Sequence, residues 1–139
     1  MRRTIAVAMA AAVLTMMVSS GCFAAAVDVM MADFLLLRMR CPAGGYTVEE
    51  RASEVEARAN ILLVLDGFDL STIRVETVGA DTVLYAGGRL LVTVDECTAR
   101  ANDTTPQRLA DLWAERLRKI YPQVVPKKPL TQARPGAGG

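Results

Sequence analysis

"IRVETVGADTVLYAGGRLLVTV", residues 73–94, is the stretch on which the fold turns. Three runs rich in β-branched and apolar residues are separated by Gly79-Ala80-Asp81 and by Gly87-Gly88. From Ile73 to Val78, Ile73, Val75 and Thr77 alternate with Arg74, Glu76 and Val78, the period of two that gives a strand two unlike faces. Gly87 and Gly88 supply the positive φ that a two-residue hairpin demands. Thr82–Ala86 and Arg89–Val94 are therefore expected to pair, with Leu90, Val92 and Val94 on one side and Leu91 and Thr93 on the other. Three consecutive strands joined by tight turns form an antiparallel unit, which needs helices to cover one face.

Those helices lie on either side. Residues 46–67, YTVEERASEVEARANILLVLDG, open with Thr47 and Glu50 in the spacing of a capping box, in which each side chain satisfies a backbone N–H of the first turn. Glu49 and Glu50 sit at the favourable end of the helix dipole. Val48, Ala52, Val55, Ala59 and Leu62 make one apolar stripe, Arg51, Glu54 and Arg58 lie away from it, and Gly67 is a natural stop. After a loop at Asp95–Asn102 with room for one helical turn, a second helix starts in one of two ways. Thr104 boxes with Gln107, or Thr105 caps with Pro106 at the first helical position. Leu109, Leu112, Trp113, Leu117, Ile120 and Tyr121 are its expected apolar face, and Pro122 its end.

Ala32–Cys41 has the composition of a first strand, with Leu35, Leu37, Met39 and Cys41 inward and Leu36, Arg38 and Arg40 outward. Pro42-Ala43-Gly44-Gly45 then reverses the chain. The expected fold is α+β in the order β-α-β-β-β-α, a mostly antiparallel sheet of about four strands with two helices on one face. The opposite face would carry Leu36, Arg38, Arg40, Arg74, Glu76 and Thr93, the candidate interaction residues.

The chain ends frame this domain. Arg2 and Arg3 precede an apolar run from Ile5 to Val18 and a small-residue segment ending Ala24-Ala25-Ala26, the three-part pattern of a secretory signal peptide over residues 1–26, cleaved after Ala24 or Ala26. Ser20-Gly21-Cys22 also resembles a bacterial lipoprotein signal, in which Cys22 becomes the lipidated first residue. Contact with a membrane is thus expected only through an uncleaved or lipidated N-terminus. The domain spans 27–121, and 122–139, rich in Pro and Gly, reads as a disordered tail. Export to the periplasm or the extracellular space follows from the leader.

The chain of 139 residues contains no histidine, which removes His-based triads and His-ligated zinc together. Its 16 basic residues are interspersed with 15 acidic ones, without the basic, aromatic-laced face of a nucleic-acid binder. No phosphate-cradling glycine loop is present. Cys41 and Cys97 form an even pair in an oxidising compartment. Bonded, they would close a loop of about 57 residues, stabilising by roughly 4 kcal/mol on the chain-entropy model; the alternative is two buried thiols packed as small hydrophobes. Asp95, Glu96 and Asp103 are the acids a small hydrolase would use, or a hard cation seek. Asp95 with Glu50 is the conceivable carboxylate pair. The bland reading of all four is helix capping and solvation, and no metal or cofactor is expected.

The order of a strand, "TVEERA" at Thr47–Ala52 opening a helix that contains Arg58, "IRV" at Ile73–Val75, "LLVTVD" at Leu90–Asp95 and "LADLWAERL" at Leu109–Leu117 carries a likeness. Residues 33–121 resemble the extracytoplasmic domain that precedes the membrane helices in some bacterial small-conductance mechanosensitive-channel-like proteins. Without pore helices after the domain, the resemblance implies a free-standing copy and assigns no site. The expected function is a non-catalytic binding or interaction module for an envelope protein or ligand. A small hydrolase and a lipid-anchored envelope protein are the alternatives.

Overall fold

The structure is a computed structural model that describes residues 25–127. Residues 1–24, Cys22 among them, and 128–139 lie outside the described residues. The chain folds as α+β: β1 (Val27–Met31), β2 (Phe34–Met39), α1 (Val48–Val64), a 3-10 turn (Leu70–Thr72), β3 (Arg74–Val78), β4 (Asp81–Ala86), β5 (Arg89–Val94), α2 (Glu96–Ala101) and α3 (Pro106–Val124).

The expected single sheet is two. β1 and β2 form an antiparallel hairpin, and β3-β4-β5 an antiparallel meander. The extra strand β1 follows a run of apolar residues in the sequence, so nothing in the composition sets it apart. Its turn contains neither Gly nor Pro: Ala32 itself takes φ +50°, a conformation that normally favours glycine. At the β4–β5 hairpin both expected glycines are left-handed, Gly87 at +61° and Gly88 at +73°. A Cβ on Gly87 would also stand 3.2 Å from the Phe68 ring.

The two sheets share an irregularity. Val29 faces Leu37 and Met30 faces Leu35, which leaves Leu36 opposite no residue. Leu84 faces Val92 and Tyr85 faces Leu90, which leaves Leu91 unmatched in the same way. A bulge of this kind inserts one residue and breaks the alternation of faces. Leu36 and Leu37 are therefore both buried, as are Leu91 and Val92, while Leu35 and Leu90 are exposed. This corrects two expectations: Leu36, placed on the outer face, is 0 % exposed, and Leu35, placed in the core, is at the surface.

One continuous core joins the hairpin, the meander and the helices. Along α1 the buried residues are Val48, Ala52, Val55, Ala59 and Leu62, the expected stripe, and Thr47 and Glu50 form the capping box. Thr105 caps α3 with Pro106 following, so the second of the two starts is used. Leu112 departs from expectation at 54 % exposed. It lies on the far side of the helix from the centre of the stripe, and Ala110 and Ala114 fill the buried face instead. Pro122 does not end α3. It lacks one N–H, but Val125 N–H donates to Tyr121 O at 3.0 Å and Tyr121 packs edge-to-face on Phe68, so the last turn persists to Val124. Residues 122–124, read from the sequence as the start of the tail, therefore belong to α3.

Candidate functional site

α1 lies alongside the outer edge of β5, the last strand of the meander. An edge strand presents carbonyls that no neighbouring strand takes up. Here two arginines of α1 take them. Arg51 Nη2 donates to Thr93 O at 3.1 Å, and Arg58 Nη1 reaches Leu91 O, the carbonyl of the bulge, at 3.4 Å. Seven residues apart, they stand two turns apart on one side of the helix.

Between α1, β5 and the turn at Ala43–Tyr46 lies a cleft of about 380 Å³. At its floor Arg51 is fully engaged. Nη1 also donates to Cys41 O at 2.5 Å and is 2.9 Å from Asp95 Oδ2, with the two side chains only 10 % and 21 % exposed. Asp95 in turn caps α2, accepting from Thr98 N–H and from Thr98 Oγ1, each at 2.9 Å. Burial alone would raise the Asp95 carboxyl. The Thr98 hydrogen bonds and the Arg51 charge outweigh it and hold the group below its ordinary value of 3.8.

Beside this ion pair Cys41 and Cys97 are bonded, their Cα atoms 6.0 Å apart, so of the two readings of the cysteines the structure takes the disulfide. The sulfurs and an Asp95 oxygen lie within 4.8 Å of one another, but sulfurs bonded to each other are not the thiolates a metal ion takes up. The disulfide joins the loop after β2 to the start of α2, so loop, helix and strand end meet at Arg51.

Arg58 contrasts with Arg51. Its other contact, to Glu54 Oε2, is 3.5 Å long, and its side chain is 40 % exposed. It stands where the cleft meets a second hollow of about 210 Å³, for both are lined by Arg58 and Leu90.

The acids expected for hydrolysis are not brought together in the cleft. Asp95 alone of the three lines it. Glu96 pairs with Arg100, and Asp103, at φ +55°, lines a separate hollow with Arg100 and Arg108. Glu50 is spent on the backbone N–H of Thr47. The expected interaction face is also dispersed. Leu36 is in the core. Arg38 pairs with Asp28 on the hairpin, and Arg40 beside it is half-buried. Arg74 and Glu76 pair on β3, with Arg74 5.1 Å above the Tyr85 ring. Thr93 lies at the opposite edge of that sheet, in the cleft. Arg51 and Arg58, which line the cleft, lie away from the apolar stripe and carry no role in the sequence reading; their seven-residue spacing beside that stripe is the available signal.

Among the described residues no helix is long and apolar enough to cross a membrane. No curated protein and no solved structure matches the chain. Residues 28–123, from the second residue of β1 to the last turn of α3, match a family described as a domain of unknown function. The chain belongs to that family, DUF8459.

Proposed function

We propose that the protein is a non-catalytic binding module acting outside the cytoplasm, in the periplasm or cell envelope, with the α1–β5 cleft as its ligand seat. The observation that carries this reading is the division of labour between the two arginines. Arg51 and Asp95 are tied to each other and to the backbone, which fixes the walls, whereas Arg58 faces the opening on two long contacts. A preformed cleft in which apolar residues such as Val55, Leu90 and Val92 stand among a few convergent polar groups, here Arg58, Glu54, Asp81 and Tyr46, is the usual character of a binding site. The leader, the Cys41–Cys97 bond and the likeness of residues 33–121 to an extracytoplasmic channel domain support a place beyond the inner membrane. Anchoring through an acylated Cys22 is compatible with this function and is read by mass spectrometry of the mature N-terminus.

A photo-crosslinking residue at Tyr46, in the cleft wall, tests the reading in intact cells, with Val64, exposed at the end of α1, as the control position. A discrete adduct from position 46 and none from position 64 is the expected result. Equal labelling from both would refute the cleft as the seat.

A further inference from the structure

We propose that the ligand is an extended peptide segment of another envelope protein, carrying a carboxylate beside an apolar side chain, which adds to the hairpin half of the β5 edge. This rests on the cleft being the ligand seat and names a ligand that runs from the cleft over its rim at Arg58 and Leu90 into the second hollow. The second hollow is lined by Arg58 and Arg89 and by no acidic residue, with Ile61, Leu62, Ala86 and Leu90 as its apolar wall. Arg89 makes no ion pair or side-chain hydrogen bond among the described residues. Two guanidiniums over an apolar surface match a carboxylate with a neighbouring aliphatic group, and guanidinium is the side chain best shaped to grip a carboxylate with two parallel bonds.

The strand edge makes the match specific to a peptide. Arg58 covers Leu91 O by a contact of 3.4 Å and meets Glu54 at 3.5 Å, both long for charge-assisted bonds. A ligand carboxylate competes with those contacts and draws the guanidinium into the hollow. Leu91 O is then free to accept a peptide N–H, the pairing by which extended segments add to sheet edges. At Thr93 the edge stays closed, because Arg51 is held by three partners, so pairing is confined to Leu90 and Leu91. Without ligand, Arg58 keeps the edge from pairing with a second copy.

The test is selection of random dodecapeptides, displayed with free C-termini, on the exported full-length protein and on its Arg58→Ala and Arg89→Ala variants, each first shown by circular dichroism to fold. Peptides enriched on wild type are resynthesised with the internal acid changed to its amide, with the C-terminus amidated, and with alternate backbone nitrogens methylated. Loss of one carboxylate should weaken binding about tenfold, as should either arginine variant, consistent with one charged hydrogen bond. Which carboxylate matters distinguishes an acidic side chain from a chain terminus. One set of N-methyl groups should abolish binding and the alternate set be tolerated. No enrichment on wild type over Arg58→Ala, or indifference to both methylation patterns, would overturn the proposal. A position-46 crosslink to a partner in the absence of any enriched peptide would sink the peptide inference and leave the binding-module reading standing.

Discussion

Arg116 Nη1 on α3 donates to Leu36 O at 3.2 Å, across 80 residues of chain. Leu36 is the unmatched residue of the β2 bulge, and on β5 the unmatched Leu91 receives Arg58 in the same manner. Each bulge thus drives a second leucine into the core and turns a carbonyl away from its ladder, and each carbonyl is met by a helix arginine. Arg118 repeats the device at Ile73 O, ahead of β3. Replacing Arg116 with Met keeps much of the stem and removes the donor. The expected loss is about 1–2 kcal/mol, the cost of leaving a part-buried acceptor unpaired, measured by urea unfolding against Arg108→Met on the exposed side of α3.

The bulge also sets which leucines carry the fold. Leu36→Ala should cost about 2–5 kcal/mol through the lost methylenes and the cavity left behind. Leu112→Ala should stay within about 0.5 kcal/mol, as expected of a surface position. Equal effects in thermal melts would contradict the placement of both residues.

The Cys41–Cys97 bond spans a sequence separation of 56 and ties the cleft wall to α2. Changing both cysteines to Ser should destabilise by about 4 kcal/mol on the chain-entropy model. The single Ser variants should be no more stable than the double one. Two-dimensional NMR of any folded double variant is expected to show its largest shifts at Ala43–Tyr46 and Asp95–Thr98.

Asp95 ties stability to pH in one direction. Its folded carboxyl lies below the ordinary 3.8, so its contribution is fully present above that value and is lost as pH falls through the lower, folded one. Asp28, beside Arg38, and Asp69, accepting from Ser71, are held low as well and fade in the same direction. Subtracting the unfolding curves of Asp95→Asn from wild type isolates the Asp95 share. The variant should be roughly 1–3 kcal/mol less stable at neutral pH, since it leaves the Arg51 charge uncompensated. The gap should close in acid. A gap that widened as pH fell would reverse the sign and refute the assignment.

The α1 stripe, its capping box and the Gly87-Gly88 hairpin were legible because each depends on local spacing alone. The bulges were not. In "FLLLRM" and "RLLVTV" adjacent apolar residues mask any alternation, and only the facing strand decides which leucine is extra. The first strand was hidden for a related reason, since Val27–Met31 follows an apolar stretch of sequence without a break and turns on an alanine. Leu112 looked like core because the stripe was drawn one residue too wide, when Ala110 and Ala114 are what let α3 approach. The site was least visible of all, because Arg51 and Arg58 are ordinary surface residues until β5 is laid beside them.

The most direct measurement of the central claim, that the α1–β5 cleft is where this protein meets its partner, is quantitative co-purification from envelope extracts with wild type and Arg58→Glu. The substitution removes the donor to Leu91 O and sets a like charge one turn from Glu54, which should cost about 1–2 kcal/mol, so both proteins are compared well below their melting temperatures, where circular dichroism shows them equally folded. Recovery of the partner crosslinked through position 46 should fall at least about tenfold. Undiminished recovery with the reversed charge would contradict the account.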